Sequence, residues 1–187
     1  LLASRVYAMT HLAIHDALNA IVPRYQTYAY HQPHKLADPV AAVASAAYEV
    51  LLASNPAQKT MLETLLVASL ANVPEGQSKT EGIELGKKAA AAILALRQND
   101  GAFDDPIGPI PPSNGQPGAY QAVPPFDFVF APQWRTMQTF SLVNPQQFRV
   151  EPFPALNSHT YKDAFNEVKQ IGKKDSQQRN TEQTAIA

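Results

Sequence analysis

The sequence predicts an all-α protein, a helical bundle accompanied by a long irregular strap rich in proline and aromatic residues. Two observations carry this prediction. Apolar residues recur at the helical period through the first half of the chain, and proline is concentrated in the second half. The predicted domains are a helical bundle over 1–99, a strap packed on it over 100–156, and a helix followed by the start of a further helix over 157–187.

The first predicted helix covers residues 1–22 and ends before Pro23. One apolar stripe follows the helical period along it, formed by Leu2, Val6, Met9, Ala13, Ala17 and Ala20. Further apolar residues fill most of the remaining circumference, which is typical of a helix buried on all sides. We therefore expect this helix to be the central one.

Two further helices have clear start signals. Asp38 can cap a helix whose first position is Pro39, and that helix should run to about Ser54. The sequence Asn55-Pro56-Ala57-Gln58 then has the spacing of a capping box and predicts a third helix. Its inner side should carry four leucines, which are Leu62, Leu65, Leu66 and Leu70.

A fourth helix is predicted from about Lys79 to Gln98. Gly82, Gly86 and Ala90 recur in it every four residues and so share one face, where another backbone can approach closely. The sequence has no self-similar period of the length that helical repeat proteins show, which favours a bundle over a solenoid.

The strap lies between Asp100 and Leu156, where 11 of the 16 prolines fall together with most of the aromatic residues. Proline fixes φ and lacks a backbone donor, so regular structure is disfavoured there. A disordered linker is expected to lack aromatic residues, so we predict an ordered but irregular segment. Residues 126–130 alternate like a strand, although one short strand without a partner is only marginally stable.

Helix resumes near Ser158 and should run to Ile171, with Gly172 just past its end. The pattern at 180–183 then opens a last helix shortly before Ala187. The other end is already helical in pattern and has neither an initiator Met nor the charge layout of a signal peptide. We therefore expect this sequence to be part of a longer protein.

The charge balance and the absence of cysteine exclude several classes of function. Lys and Arg total 15 against 16 Asp and Glu, so the basic excess that nucleic acid or an anionic membrane selects is absent. No apolar stretch reaches the roughly 20 residues that a membrane span requires. Without cysteine there is no disulfide, zinc–thiolate site or cysteine nucleophile. The absence of cysteine does not determine the location, and the protein can be exported or cytoplasmic.

Several stretches in order along the chain carry a family resemblance. They are Arg5–Ala20, Ala41–Tyr48, Arg97–Gly101, Trp134, Phe140, Phe148-Arg149, Pro152, Pro154–Leu156, Tyr161, Asp163, Glu167-Val168, Gly172 and Arg179–Gln183. Together they resemble the N-terminal part of bacterial proteins related to vanadium-dependent haloperoxidases, within the type 2 phosphatidic acid phosphatase superfamily. The resemblance covers essentially the whole chain and implies an all-helical protein.

The resemblance also implies an oxyanion site in a C-terminal half that this chain lacks. Depending on the member, that site holds vanadate for peroxide-driven halide oxidation or transfers a phosphoryl group through histidine. Its motifs are a Lys with a later Arg-Pro, then Pro-Ser-Gly-His, then Ser-Arg with a downstream His and Asp. None is present, and the nearest imitation, Lys173 or Lys174 with Arg179, has Asn180 where proline belongs.

An oxyanion requires several fixed cationic and N–H donors, together with a histidine as nucleophile or metal ligand. The sequence therefore assigns no catalytic and no cofactor-binding residue to this chain, and vanadate is a possible cofactor of the parent protein only. Serine-hydrolase and nucleotide-binding chemistry are not indicated either, because the Gly-x-Ser-x-Gly elbow and a phosphate-cradling glycine loop are absent.

The only metal candidates are His11, His15 and Asp16. The two histidines are four residues apart and share a helix face, as metal-binding pairs do. Two ligands on one helix do not complete a site, and no segment clearly offers a third. The favoured interpretation is that these three residues and Asn19 are polar groups of a buried helix, hydrogen-bonded to neighbouring helices or to the strap.

Two charged features have structural interpretations. Arg5 is expected to pair with a carboxylate or cap a neighbouring helix, in preference to forming part of an anion site. The turn Asp100–Asp105 holds three carboxylates without the spacing of a calcium loop, and we expect a helix-terminating turn with solvated acids.

Three functional hypotheses follow. The favoured one is the N-terminal scaffold of a phosphatase or vanadium haloperoxidase-like enzyme, inactive by itself, with the missing C-terminal half of the parent as its partner. The second is a stand-alone helical module that presents the aromatic residues of the strap to a partner. The third is a metal-binding helical protein that uses His11 and His15. An apolar face left uncovered would also support a homodimer.

Overall fold

The computed structural model describes residues 2–112, 115–117 and 119–186. It is predominantly helical, as the sequence predicts. The helices are α1 (Leu2–Ile21), α2 (Pro39–Ser54), α3 (Lys59–Leu70), α4 (Gln77–Leu96), α5 (His159–Ile171) and α6 (Thr181–Ile186). Short 3-10 turns cover Pro56–Gln58 and Pro132–Arg135, and the strands are β1 (Ile107–Gly108) and β2 (Val129–Phe130).

The chain divides into two compact units. The first comprises Leu1–Asp104 and Thr136–Ser141, and the second comprises Asp105–Arg135 and Leu142–Ala187. The segment predicted as a strap is therefore divided, because two of its pieces, 100–104 and Thr136–Ser141, belong to the unit that contains α1 to α4.

In the first unit, α1, α2 and α4 pack on one another, and α3 packs on α2. The buried core consists largely of alanines with a few larger side chains, among them Met9, Val50, Leu85 and Ile93. Small side chains allow close axial approach of helices. α2 contacts each of the other three, so the expectation that α1 is the central helix is wrong. Tyr7 and Leu18 are exposed on α1.

The predicted glycine face of α4 is confirmed. A Cβ added at Gly82 would lie 2.6 Å from the Asp38 carbonyl oxygen, and one at Gly86 would lie 2.5 Å from the Ala42 carbonyl oxygen. Ala90 continues this face and is fully buried. At Gly82 and Gly86 the backbone of α4 therefore lies too close to the backbone of residues 38–46 for a side chain larger than hydrogen.

Gly86→Ala is expected to destabilise the protein by about 1–3 kcal/mol, because the obstructing atom is a backbone oxygen that cannot move aside easily. The gain in helix propensity of up to about 1 kcal/mol only partly offsets this. Chemical denaturation compares the variant with Glu84→Ala, a change at an exposed position of the same helix. Equal or higher stability of Gly86→Ala than of wild type would contradict the close helix contact.

Of the two helix caps predicted at Asp38 and Asn55, the first is confirmed and the second is wrong. Asp38 caps α2, since its side chain accepts a hydrogen bond from the Ala41 N–H at 2.9 Å. Asn55 makes no side-chain cap bond, and a 3-10 turn precedes α3, so the capping box predicted there is wrong. Leu62 is buried, but Leu65 is 56% exposed, because α3 packs mainly on α2 and buries a narrow stripe.

The second unit contains an antiparallel pair in which Ile107 faces Phe130 and Gly108 faces Val129. The strand-like alternation at 126–130 thus finds a partner earlier in the chain. Helix α5 begins after Ser158 and ends at Ile171, as predicted, and the Ser158 hydroxyl caps it by accepting a hydrogen bond from the Tyr161 N–H. Gly172 ends α5 with φ of −77°, in the right-handed region, so the left-handed helix end that this glycine suggests does not form.

The last predicted start is confirmed in detail. The Gln183 N–H donates to Asn180 Oδ1 at 2.8 Å, and the Asn180 N–H donates to Gln183 Oε1 at 3.0 Å. This reciprocal pair is a capping box, and it opens α6.

Over the described residues, none of the helices combines the length and the apolar composition that crossing a bilayer would require.

Candidate functional site

Two polar residues of α1 fasten the loop that follows this helix. Asp16 is fully buried, and its carboxylate accepts hydrogen bonds from the backbone N–H groups of Tyr28 at 2.7 Å, Ala29 at 2.6 Å and Tyr30 at 2.8 Å. Asn19 Oδ1 accepts from two further N–H groups, those of Arg24 at 3.1 Å and Tyr25 at 2.8 Å. Asp16 and Asn19 are therefore buried and hydrogen-bonded as predicted, but the N–H groups that donate to them lie in the loop after α1 and not in neighbouring helices or in the strap.

The two histidines of α1 lie beside this anchor and differ in their exposure. His15 is half-buried, with Nε2 3.0 Å from the Gln26 carbonyl oxygen, whereas His11 is exposed. The predicted burial is wrong for His11, since its side of α1 faces a surface depression of about 650 Å³. Both oxygens of Asp16 are directed at loop amides. Among the described residues, no group of three or more His, Cys, Asp or Glu side chains is placed to hold a metal.

A second polar group joins the start of α1 to the end of α4. We call Arg5, Arg97 and Asp100 the guanidinium cluster. Asp100 Oδ2 accepts hydrogen bonds from Arg5 Nε at 2.8 Å and from Arg97 Nε at 2.9 Å. Arg5 Nη2 also donates to the Arg97 carbonyl oxygen at 2.7 Å. All three side chains are buried, and the expected pairing of Arg5 with a carboxylate is confirmed.

Arg97 extends the cluster to the returning segment Thr136–Ser141. Its Nη1 donates to the Thr139 carbonyl oxygen at 3.1 Å, and its Nη2 donates to the Gln138 carbonyl oxygen. The guanidinium carbon lies 3.9 Å from the centre of the Phe140 ring, within cation–π range. This segment is therefore held by a charge that is completely withdrawn from solvent.

The environment of Asp100 determines its ionisation. Burial alone would raise the pKa of this carboxyl. The pKa is nevertheless lowered below its ordinary value, because the carboxylate accepts hydrogen bonds from Arg5 and from the Ala102 N–H and is close to the positive charges of Arg5 and Arg97. Asp100 is consequently ionised, and the cluster contains two cations for one anion.

The sequence did not reveal this role of Arg97 and Asp100. The interpretation of Asp100 as a solvated acid is wrong, whereas Asp104 and Asp105 are exposed as expected. The spacing of Arg97 and Asp100, three residues apart at a helix end, was the available signal. The partner Arg5 lies 95 residues away in the chain, beyond the reach of any local pattern.

A cavity of about 600 Å³ opens beside the cluster. Arg5 and Arg97 contribute to its wall, and apolar side chains make up most of the remainder. The residues that line it are Leu2, Ala3, Arg5, Val6, Tyr7, Met9, Leu51, Ala53, Ser54, Asn55, Leu94, Arg97, Gln98 and Phe103. This lining has neither a carboxylate nor an imidazole, so it offers positive charge and hydrogen-bond donors but no general base.

Comparison with protein-family models, with curated proteins and with solved structures finds no match to this chain.

Proposed function

We propose that this chain is the N-terminal scaffold of a phosphatase or vanadium haloperoxidase-like enzyme, and that it is catalytically inactive by itself. In this proposal the helices of the first unit form a bundle, and residues 100–156 form the strap that accompanies it. The oxyanion-binding groups belong to a further segment that packs on the scaffold. The family resemblance of the sequence is what specifies the enzyme class.

The observation that carries the proposal is the exposure of the segment 142–186, which belongs to the second unit. No residue between 142 and 186 is buried. Large apolar side chains are nevertheless frequent there and are exposed, namely Leu142, Val143, Phe148, Val150, Phe153, Leu156, Phe165, Val168 and Ile186. Each such side chain gains about 1.5–3 kcal/mol when it is fully buried, so these residues favour a partner that covers them.

Helix α5 shows this most clearly. Tyr161 and Phe165 stack with their ring centroids 6.4 Å apart, and Val168 continues the same face. Phe165 is 56% exposed and Val168 is 70% exposed. An amphipathic helix is stabilised mainly by packing of its apolar face, and α5 has this face uncovered.

The polar groups of the first unit support the same proposal. Asp16 and Asn19 are occupied by loop amides, and Arg97 and Asp100 are occupied by each other and by backbone groups. These buried residues are therefore committed to holding the fold, as expected of a scaffold.

The test is an activity assay of the purified chain. We expect neither hydrolysis of a phosphomonoester nor, with vanadate and peroxide, oxidation of bromide. The chain is then produced together with the polypeptide encoded downstream of it, and turnover is expected to appear. Turnover by the 187 residues alone would refute the proposal.

Hydrogen exchange locates the covering contact. Amides of α5 should exchange faster in the isolated chain than in the longer protein. The double change Phe165→Ser and Val168→Ser should abolish this protection, whereas Lys162→Ser and Lys169→Ser, on the same helix, should leave it unchanged. Equal protection of α5 in the short and the long protein would count against a covering segment.

The same exposed face also favours a second function, an interaction module that docks on a separate protein or on a second copy of itself. The continuation of the reading frame distinguishes the two functions. A Pro-Ser-Gly-His motif in the same polypeptide supports the scaffold, and its absence supports the module. Light scattering identifies a homodimer directly.

A further inference from the structure

The cavity beside the guanidinium cluster has the dimensions of a small-molecule site. Its volume of about 600 Å³ falls within the range of about 300–1,000 Å³ that ligand pockets occupy. Its wall is mostly apolar, with side chains from α1, α2 and α4 and the ring of Phe103. Such a lining suits an apolar body rather than a sugar or a free inorganic ion.

One nitrogen of Arg5 has no hydrogen-bond partner among the described residues. Nε donates to Asp100 and Nη2 donates to the Arg97 carbonyl oxygen, whereas no bond from Nη1 is found in this part of the chain. The Arg5 side chain is only 7% exposed, but its Nη1 atom is not completely enclosed by the protein. Arg5 lines the cavity, and its guanidinium carbon lies 5.1 Å from the centre of the Phe103 ring, which lines the same cavity. A ligand in the cavity can therefore approach this guanidinium group.

The charge balance indicates the sign of the ligand. Asp100 neutralises one guanidinium, which leaves the cluster with one positive charge in excess. No acidic side chain lines the cavity to balance it, and the amide-bearing residues Asn55 and Gln98 add further hydrogen-bond donors. A buried charge is costly unless it is paired, so an anion that enters this cavity is stabilised at Arg5.

We propose that this cavity binds an amphiphilic monocarboxylate, an organic acid with one carboxylate and an apolar chain or ring. The carboxylate accepts hydrogen bonds from Arg5 Nη1, and the apolar body lies against the lining of α1, α2 and α4. A single negative charge matches the single excess positive charge. A phosphate dianion would bring a second charge for which the cavity has no cation in excess.

Calorimetry with three ten-carbon probes below their micelle concentrations tests the site on the whole chain. Decanoate should bind, decanol should bind about tenfold more weakly or worse because it lacks the charge-assisted hydrogen bond, and decyltrimethylammonium should not bind. Decanol binding as tightly as decanoate, or absence of decanoate binding, would overturn the proposal.

A filled cavity supplies the matched control. Ala53 lines the cavity at an exposed position of α2, so Ala53→Trp occupies the space without touching the ion pairs. Ala68→Trp makes the same change at an exposed position of α3 that does not line the cavity. Decanoate binding should be lost in the first variant and retained in the second. Binding retained in Ala53→Trp would place the ligand elsewhere and refute the site.

The role of Arg5 itself is tested by Arg5→Lys, which keeps the charge but loses Nη1. Decanoate affinity should fall about tenfold in this variant, provided that its circular dichroism is native. If the variant does not fold, the probe series and the two tryptophan variants decide the question. Binding is measured without turnover, so this proposal stands or falls independently of the enzyme class proposed above.

Discussion

Replacement of Asp100 by Asn is expected to lower the free energy of unfolding by about 3–5 kcal/mol, the usual cost of breaking a buried ion pair. Asp100 is the only carboxylate that contacts Arg5 and Arg97 in the cluster, and both guanidinium groups are buried. Asparagine has nearly the same shape but no charge, so the variant leaves two buried cations uncompensated. Equilibrium denaturation in urea measures the effect.

Asp104→Asn is the matched control, because Asp104 is exposed in the same turn. Its effect should stay within about 0.5 kcal/mol, as is usual for surface substitutions. If the two variants lose equal stability, the buried ion pairs of Asp100 contribute no more to the free energy of unfolding than an exposed carboxylate does.

The pH dependence of stability provides a second measure of the Asp100 pair. The pKa of Asp100 is lower in the folded state than its ordinary value of 3.8, so the folded state favours the ionised carboxylate. Its contribution is therefore complete above the unfolded pKa and is lost as the pH falls from there through the folded pKa. The difference in stability between wild type and Asp100→Asn should be constant near neutral pH and shrink in acid below about pH 4. A difference that is independent of pH would contradict the ionised pair.

The features that the sequence predicts correctly are those set by neighbours in the chain. Asp38 before Pro39 and Asn180 before Gln183 are start signals, because a cap bond joins residues two or three positions apart. Gly82 and Gly86 indicate close packing, since only a helix contact explains small residues at that spacing. The glycine pattern predicts that a close contact exists, but it does not identify the helix on the other side.

The features that the sequence misses depend on the relative placement of distant segments. Leu65 belongs to an apolar stripe that has the same spacing as a buried one, but α3 packs mainly on α2, so most of this stripe has no helix against it. His11 sits on a helix that is apolar nearly all round, yet its face is open. The pairing of Arg5 with Asp100 requires the whole first unit to be folded. Helix periodicity reveals which residues share a face and does not reveal whether that face is covered.

Asp16→Asn is the second change with a large expected effect, about 2–4 kcal/mol of lost stability, because it leaves partly buried N–H donors without acceptors at a fully buried side chain. Both carboxylate oxygens of Asp16 are used, one by Tyr28 and the other by Ala29 and Tyr30. Asparagine keeps one acceptor oxygen, but its NH₂ group replaces the other oxygen and cannot accept a hydrogen bond from the loop amides. Thermal and urea denaturation measure the loss, and hydrogen exchange should show faster exchange at these three amides.

The control is the same substitution at Asp38, where a single oxygen accepts from a single N–H. Asn and Asp are about equally good at a helix start, so Asp38→Asn should cost no more than about 0.5 kcal/mol. The contrast isolates the number of amides that one side chain must satisfy, since the chemical change is identical at both positions. If Asp16→Asn is as mild as Asp38→Asn, the loop after α1 is held by its other contacts, such as the Asn19 bonds and the hydrogen bond from the Tyr28 hydroxyl to the Phe140 carbonyl oxygen.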